Sequence, residues 1–450
     1  MGEDKRITIE TPVQFRDELP EAVDVAIIGG GVIGVFAALY MARAGLRVFL
    51  AEKGRIAGEQ SSRNWGWIRQ QGRDEAELPI MMKARHLWQE VDREVNGACG
   101  VTVGGCYYLA TSREVVEERE AWLDVAREHG LDTQALTRGA IEAAFGDHAH
   151  PMWIGGIVTP SDMRGEPWRA VPAVARLAQA EGVAIREDCA VRALDVAGGQ
   201  VQGIVTEAGK VRAGQVIVAA GAWSSLFLRR HGVEIPQLSV RNTVVQTAPL
   251  PAFFNGAATD EELAMRRRAD GGYSLAQAEN ETFFLGPDAF RHVRTYLPML
   301  KRNWRSVGLR PLAGKGFPDG WGTARQWRED EETPFEQVRV LDPAPDLGGV
   351  ERMRRRFAAR FPLIGPPEVR DAWAGMIDVM PDIVPIVDRV PGHEGLIVAT
   401  GMSGHGFGIG PGFGEVLARM VQGKAQDFDL SRFRFARFSD GSPLEVGRAL

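Results

Sequence analysis

An apolar segment that runs directly into three closely spaced glycines places the strongest constraint on the fold. Residues 23–28 are almost entirely apolar and do not alternate with polar residues, which is typical of a strand buried on both faces of a parallel sheet. The apolar stretch 32–44 that follows ends at Gly45, as a helix with a glycine after its last turn does. A second apolar strand pattern, residues 47–51, comes next. The chain is therefore predicted to contain a βαβ unit of about 30 residues.

The glycines Gly29, Gly31 and Gly34 form a GxGxxG pattern between the first strand and the helix. The first glycine permits a tight turn, the second lets the backbone approach a pyrophosphate, and the third lets the helix pack closely against the sheet. The amino end of the helix adds free N–H groups and a partial positive charge. Glu52 ends the second strand, where a carboxylate accepts hydrogen bonds from ribose hydroxyls and repels a 2′-phosphate. The pattern predicts a site for NAD or FAD rather than NADP.

A polar segment beyond Glu52 distinguishes between these two dinucleotides. Residues 58–74 read GEQSSRNWGWIRQQGRD. The Ser-Ser-Arg-Asn stretch at 61–64 offers hydroxyls, a guanidinium and an amide within reach of a diphosphate. A nicotinamide enzyme has no need of such a cluster at this place, so the segment favours FAD.

Two different sequence patterns along the chain predict two lobes. The segments 215–219 and 396–400 are further buried strand patterns next to glycines, whereas residues 240–345 are irregular and rich in Trp and Phe. We therefore expect an α/β fold, in which a Rossmann-type FAD-binding domain with a parallel central sheet carries a mostly antiparallel α+β lobe for the substrate. The expected boundaries are a solvated N-terminal arm at 1–22, a discontinuous FAD-binding domain at 23–100, 150–238 and 366–450, and a substrate-binding domain at 101–149 and 239–365.

Composition and charge exclude other classes of protein. The 450 residues include 53 Lys and Arg against 59 Asp and Glu, a net charge of −6, which provides no electrostatic footprint for nucleic acid. No apolar run reaches the roughly 18 residues of a membrane span. The three cysteines lack metal-ligand spacing, so we expect no metal site, reduced thiols and a cytoplasmic protein without integral membrane contact.

Four blocks of sequence point together to a known family. They are IIGGGVIG with Glu52, GEQSSRNWGWI at 58–68, VIVAAGAWSS at 216–225, and the C-terminal pair WAGMIDVMPDIVPIVD at 373–388 and GLIVATGMSGHGFGIGPGFGEVLARMVQG at 395–423. In sequence and in order, these blocks resemble the FAD-dependent oxidoreductases of the D-amino-acid oxidase and sarcosine oxidase superfamily, which includes glycine oxidase and D-amino-acid dehydrogenase. The resemblance implies the fold described above, with FAD as cofactor.

The resemblance also implies which residues hold FAD and how. No Cys precedes Pro381-Asp382, where some relatives attach their flavin, so we expect non-covalent binding. The residues assigned to the cofactor, from the glycine pattern and from the resemblance, are Gly29, Gly31, Val32, Ile33, Gly34, Glu52, Lys53, Ser61, Ser62, Arg63, Asn64, Trp65, Gly66, Val191, Ala220, Gly221, Trp223, Gly375, Gly404, His405, Gly406, Phe407 and Gly408.

The glycines between 401 and 410 are predicted to form a loop that approaches the flat flavin ring. We expect a helix after Gly412 to aim its amino end at this loop, where its partial positive charge would stabilise reduced, anionic flavin. His405 lies in the same loop and is expected to lie close to the flavin.

The chemistry that the resemblance implies is oxidation of a C–N bond in an amine or amino acid. A hydride passes to flavin N5 and leaves an imine, which water hydrolyses. The arginine that often holds a substrate carboxylate is absent, since Gly375 is followed by Met-Ile-Asp. Sarcosine oxidase-like members of the family carry an arginine soon after the flavin-contact segment, and Arg69 and Arg73 occupy a comparable region here. From this resemblance we assign the carboxylate role to Arg69, whose guanidinium can bind a carboxylate through a bidentate fork. Asp378 is a candidate partner for a cationic amine, and His405 completes the catalytic candidates.

Aromatic side chains provide a further candidate for the substrate site. An aromatic pocket for a hydrophobic amine could draw on several tryptophans, although most tryptophans in proteins are core residues. The candidates are Trp65, Trp67, Trp304, Trp321, Trp327 and Trp373.

Two alternatives remain open from the sequence. The chain could be the flavoprotein subunit of a larger opine or sarcosine dehydrogenase, which passes electrons to a partner. It could also be a Rossmann protein that binds a nucleotide without catalysis. In the leading interpretation the partners are a small amine or amino acid and either oxygen or another electron acceptor, with self-association also possible.

Overall fold

The computed structural model describes residues 6–277, 281–303 and 307–445. Within these ranges, two large β-sheets and one three-stranded sheet combine with α-helices. This architecture confirms the predicted α/β class with a second, mostly antiparallel part.

The elements are numbered in chain order. The strands are β1 (Ala22–Ile28), β2 (Val48–Ala51), β3 (Trp67–Ile68), β4 (Thr102–Val103), β5 (Cys106–Ala110), β6 (Gln134–Thr137), β7 (Gly155–Thr159), β8 (Met163–Arg164), β9 (Ala184–Arg186), β10 (Val191–Ala197), β11 (Gln200–Thr206), β12 (Gly209–Val218), β13 (Leu238–Thr247), β14 (Ala257–Thr259), β15 (Leu263–Arg267), β16 (Tyr273–Gln277), β17 (Glu281–Phe284), β18 (Val307–Arg310), β19 (Val369–Val379), β20 (Ile386–Arg389) and β21 (Leu396–Thr400). The helices are α1 (Val32–Arg43), α2 (Gln60–Arg63), α3 (Leu78–Glu94), α4 (Arg113–Glu120), α5 (Leu123–Glu128), α6 (Arg138–Phe145), α7 (Pro167–Ala180), α8 (Ser224–Arg230), α9 (Pro287–Arg291), α10 (Val293–Asn303), α11 (Pro334–Gln337), α12 (Leu347–Arg360) and α13 (Gly406–Val421).

The first large sheet has a parallel core in the order β9-β2-β1-β12-β21. Ile28 is in register with Ala51 on one side and with Val218 on the other, so the carboxyl ends of three neighbouring strands meet at one edge. Strands β10, β11 and β20 extend the sheet in antiparallel pairs. In open α/β sheets ligands bind at such an edge, and the GxGxxG turn lies there.

The second large sheet is mostly antiparallel. Its order is β18-β17-β13-β16-β15-β14-β5-β7-β6, with β19 paired to β13. Among the described strands of this sheet, the parallel pairs are β14 with β5 and β17 with β18. Strand β13 runs antiparallel to β19 along its length and places Asn242 opposite Gly375.

The expected domain boundaries stay a prediction, but two strands pair in a different sheet from the one that these boundaries imply. Strands β7 and β19 fall within segments that we assigned to the FAD-binding domain, yet both belong to the second sheet. Residues 113–128 form two short helices, α4 and α5, with a break between them. Trp122 lies at the break between them and is buried, so its side chain packs inward where a single helix would continue.

Contrary to our expectation, the N-terminal arm is not solvated throughout, because Ile7 and Phe15 are buried while most of its other described side chains are exposed or half-buried. Phe15 is 1% exposed and belongs to the main hydrophobic core. The backbone N–H groups of Gln14 and Phe15 donate to Glu187 Oε2 at 2.5 and 3.2 Å. These bonds fix the segment beside β9. Within the described residues, no helix is both long and apolar enough to cross a bilayer.

Candidate active site

A cavity of about 670 Å³ is lined by residues of both large sheets, a volume within the range of small-molecule and cofactor sites. It lies at the edge where β1, β2 and β12 end. Its wall includes the sequence-predicted residues Gly29, Gly31, Val32, Ile33, Glu52, Lys53, Ser61, Arg63, Asn64, Trp65, Arg69, Ala220, Gly221, Trp223, Gly375, Asp378, Gly404, His405, Gly406, Phe407 and Gly408.

The amino end of α1 opens into one end of the cavity. Gly29 has a φ of +112°, which favours glycine, and a Cβ there would lie 2.4 Å from the carbonyl oxygen of Ala219. Gly31 begins the helix without a side-chain cap. Of the first backbone donors, Val32 N–H bonds to Ser61 Oγ at 2.9 Å. The other donors of this helix end, and its partial positive charge, suit an anionic group such as a diphosphate.

Glu52 stands beside that helix end. Its Oε2 accepts the Gly30 N–H at 2.7 Å and its Oε1 accepts the Gly54 N–H at 2.8 Å. Burial raises the pKa of Glu52 to about 7, although the nearby Lys53 acts in the opposite direction. Because the carboxylate lines the cavity, ribose hydroxyls could add to its donors, and each such bond favours the ionised form.

Glu59 joins three separate segments on the same wall, a role that motif reasoning missed. Its Oε1 accepts Lys53 Nζ at 2.7 Å and the Leu341 N–H at 3.0 Å. Trp223 Nε1 donates to Oε2 at 3.0 Å, and Lys53 Nζ lies 4.4 Å from the centroid of the Trp223 ring. The block GEQSSR contains Glu59, but nothing in that block indicates these distant partners.

Arg63 lines the cavity and also forms hydrogen bonds with other parts of the protein. Its Nη1 lies 2.8 Å from Asp342 Oδ1 and 3.2 Å from the Ala374 carbonyl oxygen. Burial lowers the pKa of Arg63, while Asp342 acts to raise it. Asn64 Nδ2 in turn donates to the Ser61 carbonyl oxygen at 3.0 Å. The predicted cluster therefore stabilises its own turn, and Asp342 already balances its positive charge.

The glycine-rich C-terminal segment is helical from Gly406, not after Gly412 as we expected. A Cβ on Gly410 would lie 2.7 Å from Val32 Cγ2, and one on Gly414 would lie 2.7 Å from Phe36 Cβ. These glycines therefore let α13 approach α1 closely, and they do not crowd a ring in the cavity. Gly404, Gly406 and Gly408 do line the cavity, so the correction concerns only the later glycines.

A buried network fixes the start of α13. His405 Nδ1 lies 3.2 Å from Glu77 Oε2, and Arg73 Nη1 approaches the same oxygen at 3.4 Å. Arg73 Nη2 also donates to the His405 carbonyl oxygen at 3.2 Å. Burial and the nearby Arg73 lower the pKa of His405 to about 4. The imidazole is therefore neutral near pH 7.

Arg69 and Arg119 occupy the other end of the cavity, around Tyr108. Their guanidinium carbons lie 5.8 Å and 5.7 Å from the centroid of the Tyr108 ring. Arg119 comes from α4, whose first turn is capped because Ser112 Oγ accepts the Val115 N–H at 3.3 Å. An arginine in a charged helix carries no sequence signal of a binding role, so Arg119 was missed.

Asp378 is buried and already supplied with hydrogen-bond donors. Its Oδ2 accepts the Gly401 N–H at 2.7 Å, Gln237 Nε2 at 3.2 Å and Thr400 Oγ1 at 3.3 Å. Burial raises its pKa to about 6. These contacts support a role in holding the loop after β21, and they do not favour the predicted pairing of Asp378 with a cationic amine.

Residues 24–420 match the model of the DAO family, described as FAD dependent oxidoreductase. The chain belongs to this family. The match covers most of the protein, and it confirms the family, the enzymatic class and the FAD cofactor that the sequence blocks predicted.

Several curated proteins are similar to this chain along nearly its full length. The chain is 24% identical to sarcosine oxidase subunit beta from Arthrobacter sp. over 95% of this chain and 94% of the relative. It is 28% identical to N-methyl-L-tryptophan oxidase from Salmonella dublin over 92% of this chain and 99% of the relative. With dimethylglycine dehydrogenase from Rattus norvegicus the identity is 25%, and the chain spans 45% of that longer protein.

Solved structures of other enzymes share the fold. The L-amino acid deaminase from Proteus myxofaciens, in complex with anthranilate, superimposes with a TM-score of 0.90 at 26% identity, over 96% of this chain and 97% of the other. Glycine oxidase from Geobacillus kaustophilus superimposes with a TM-score of 0.75 at 21% identity, over 93% and 99% of the two chains. The latter likeness shows the fold alone.

The cavity fits FAD on structural grounds. A glycine cradle that a Cβ would fill at Gly29, backbone donors at the start of α1, and the carboxylate of Glu52 lie together at one end. The neutral His405 and the start of α13 lie on the same continuous wall. A diphosphate, a ribose and a flat ring system each find suitable chemistry there.

Four predicted cofactor residues do not line the cavity, namely Gly34, Ser62, Gly66 and Val191. Gly34 has the packing role that we assigned, since a Cβ there would lie 2.0 Å from the Gly29 carbonyl oxygen. Val191 is buried in the hydrophobic core of the first sheet, so its side chain does not support a cofactor contact. The three cysteines, all described, are buried and are not part of the cavity wall.

Few of the candidate tryptophans lie at the cavity. Trp65 and Trp67 contribute to its wall, with ring centroids 5.3 Å apart. Trp327 and Trp373 are core residues, and Trp321 is exposed. Trp304 lies outside the described residues. The structure therefore supports an aromatic wall of two tryptophans with Tyr108, not a cage of six.

Proposed function

We propose that this enzyme uses FAD to oxidise the C–N bond of an amine or amino acid, and that water then hydrolyses the resulting imine. The observation that carries the proposal is the continuity of one cavity. It joins the dinucleotide-type site at Gly29 and Glu52 to the guanidinium of Arg69. The names of its relatives support the same chemistry, since they include a sarcosine oxidase subunit, an N-methyl-amino-acid oxidase and an amino acid deaminase.

When bound, the flavin supplies a hydride acceptor, so the protein must hold the substrate and control its charge. Arg69 can bind a carboxylate through a bidentate fork. Its Nη1 donates to the Gln71 carbonyl oxygen, which fixes the side chain toward the cavity. Trp67 and Tyr108 provide apolar surface beside it.

The charges at the substrate end favour an uncharged amine. Around Arg69 the wall carries a second cation, Arg73, and the neutral His405, whereas the acids Glu118, Asp260 and Glu261 lie beside Arg119. A positive potential disfavours an ammonium group. The substrate amine is therefore expected to react as the free base, which has the lone pair needed to stabilise the developing imine.

The test is anaerobic reduction of the purified protein. We expect bound FAD with its yellow absorbance, and we expect that absorbance to bleach on addition of a suitable amine or amino acid. Formation of the matching carbonyl compound, with release of ammonia or a primary amine, would complete the assignment. A colourless preparation that binds NAD, or a flavin that no amine reduces in a broad screen, would reject the proposal.

A second candidate is the same reaction within a larger assembly. It is favoured by the match to sarcosine oxidase subunit beta over nearly the full length of both chains. Release of hydrogen peroxide by the isolated chain in air would identify a self-sufficient oxidase. Bleaching followed by slow reoxidation would identify a dehydrogenase or a subunit that needs another acceptor. Family membership favours both candidates over a non-catalytic nucleotide-binding protein.

A further inference from the structure

The arginines of the cavity wall fall into two groups. Most are paired with carboxylates of the protein, namely Arg55 with Asp188, Arg63 with Asp342, Arg73 with Glu77 and Arg339 with Glu207. Arg69 and Arg119 also line the cavity, yet within the described residues neither forms an ion pair. A protein-buried guanidinium without a counter-ion is unfavourable unless a ligand supplies one.

These two arginines lie around one aromatic ring. Their guanidinium carbons are 5.8 Å and 5.7 Å from the centroid of Tyr108, and Tyr108 is itself buried. One nitrogen of each is used by the backbone, at the carbonyl oxygens of Gln71 and Leu109. The remaining nitrogens form no hydrogen bond within the described residues, so both guanidinium groups keep donors for a ligand.

Nearby carboxylates do not satisfy Arg119. Glu261, Asp260 and Glu118 line the same end of the cavity and attract Arg119, but within the described residues none of the three forms an ion pair with it. Glu261 Oε1 accepts the N–H and the hydroxyl of Thr111 at 3.0 and 3.2 Å. Asp260 Oδ2 pairs with Arg360 Nε at 2.6 Å. Arg119 is 8% exposed and lines the cavity, so an anion bound in the cavity could contact its guanidinium.

We propose that Arg69 and Arg119 form a two-anion site, and that the substrate is an amino acid or N-substituted amino acid with a second carboxylate. Arg69 binds the carboxylate beside the reacting C–N bond, and Arg119 binds the carboxylate at the far end. The ring of Tyr108 separates the two charges and packs against the carbon chain between them. This inference rests on the proposed function, because it names the class of substrate for that same cavity.

The experiment measures binding of non-oxidisable anions to the holoenzyme. The probes are the dicarboxylates malonate, succinate, glutarate and adipate, each compared with the straight-chain monocarboxylate of the same length. Affinity is measured by calorimetry and by perturbation of the flavin spectrum. At least one dicarboxylate should bind about tenfold more tightly than its matched monocarboxylate, since a hydrogen-bonded charge pair adds that much.

Variants separate the two arginines. Arg119→Gln should abolish the preference for the dicarboxylate and leave monocarboxylate binding unchanged, whereas Arg69→Gln should weaken both. Arg119→Lys, which keeps the charge, should retain part of the preference and shows whether the site tolerates substitution. Arg127→Gln is the matched control, because Arg127 lies on the neighbouring helix α5, is exposed and pairs with Asp124. It should change neither affinity.

Two results would overturn the two-anion site, namely equal wild-type affinity for both classes of acid at every length, or a preference that survives in Arg119→Gln. If an amino acid bleaches the flavin but no dicarboxylate is preferred, the proposed oxidation stands and this inference fails. If a dicarboxylate is preferred but no amine reduces the flavin, the anion site stands and the proposed oxidation fails.

Discussion

His405 Nδ1 lies 3.2 Å from Oε2 of Glu77, a carboxylate whose side chain is 1% exposed. The same oxygen lies 3.4 Å from Arg73 Nη1, so one buried acid holds both a cation and an imidazole. His405 and Glu77 are more than three hundred positions apart in the chain. Their contact joins the segment before α3 to the residue that immediately precedes α13.

Replacement of Glu77 should therefore weaken its contacts with both His405 and Arg73. In Glu77→Gln, Arg73 loses its counter-ion inside the protein, and we expect the free energy of unfolding to fall by about 3 kcal/mol. Thermal or denaturant unfolding measures this loss. Glu75→Gln is the matched control, since Glu75 is exposed two residues earlier and should leave stability unchanged. Equal stability of the two variants would contradict the role of Glu77.

The neutral imidazole of His405 should make the protein sensitive to acid. Its pKa is lowered from 6.5 to about 4 in the folded protein, so the unfolded chain binds more protons between these values. The free energy of unfolding should therefore rise as the pH increases from about 4 to 6.5 and then level off with respect to this group. The slope should be shallower in His405→Asn, and unchanged in His86→Asn, because His86 is exposed. Identical slopes in all three proteins would refute the assignment.

Glu52 should contribute to retention of FAD. Glu52→Gln keeps the shape of the side chain but removes the charge that favours ribose hydroxyl donors, so the dissociation constant for FAD should rise about tenfold. Titration of apoprotein with FAD, followed by flavin fluorescence, gives this constant. Glu21→Gln serves as control, since Glu21 is exposed just before β1. An unchanged constant in Glu52→Gln would remove Glu52 from the ribose site.

Arg69 should discriminate between substrates with and without a carboxylate. Arg69→Gln is expected to lower kcat/KM for a carboxylated amine by about tenfold or more, because a charge-assisted bidentate contact is lost. A carboxyl-free amine of similar size is the internal control and should lose little. Steady-state kinetics on both substrates provides the comparison, and equal losses would exclude the carboxylate role.

Gly414 should matter for packing and not for the cofactor. A Cβ at this position would lie 2.7 Å from Phe36 Cβ and 2.8 Å from the backbone carbon of Phe36. Gly414→Ala is therefore expected to cost about 1–3 kcal/mol of stability, with the FAD content of the folded protein unchanged. Gly322→Ala is the matched control, since a Cβ there meets nothing within 4 Å. Loss of FAD without loss of stability would contradict this interpretation.

Local patterns in the sequence were sufficient for the βαβ unit and for the family. The strand, the GxGxxG turn and the helix at 22–43 depend on residues that are neighbours in the chain, since side-chain period and backbone freedom act over a few positions. The same local patterns predicted that Gly29, Gly31 and Glu52 lie close together, and all three line the cavity. Gly410 misled us, because a glycine in the sequence looks the same whether it lets the backbone approach a ligand or another helix.

The substrate end of the site depended on contacts that no local pattern encodes. Arg69 and Arg119 meet around Tyr108 because β5 pairs with β7 and β14 in the second sheet and α4 follows β5. Ion pairing then determines which arginine can bind a substrate anion. Arg63 forms an ion pair with Asp342, whereas Arg119 forms none within the described chain. Spacing along the chain thus predicted a nucleotide site, and the predicted residues line one cavity in the structure. Long-range packing decided which charges remain free for the substrate, because a counter-ion can come from any distance in sequence.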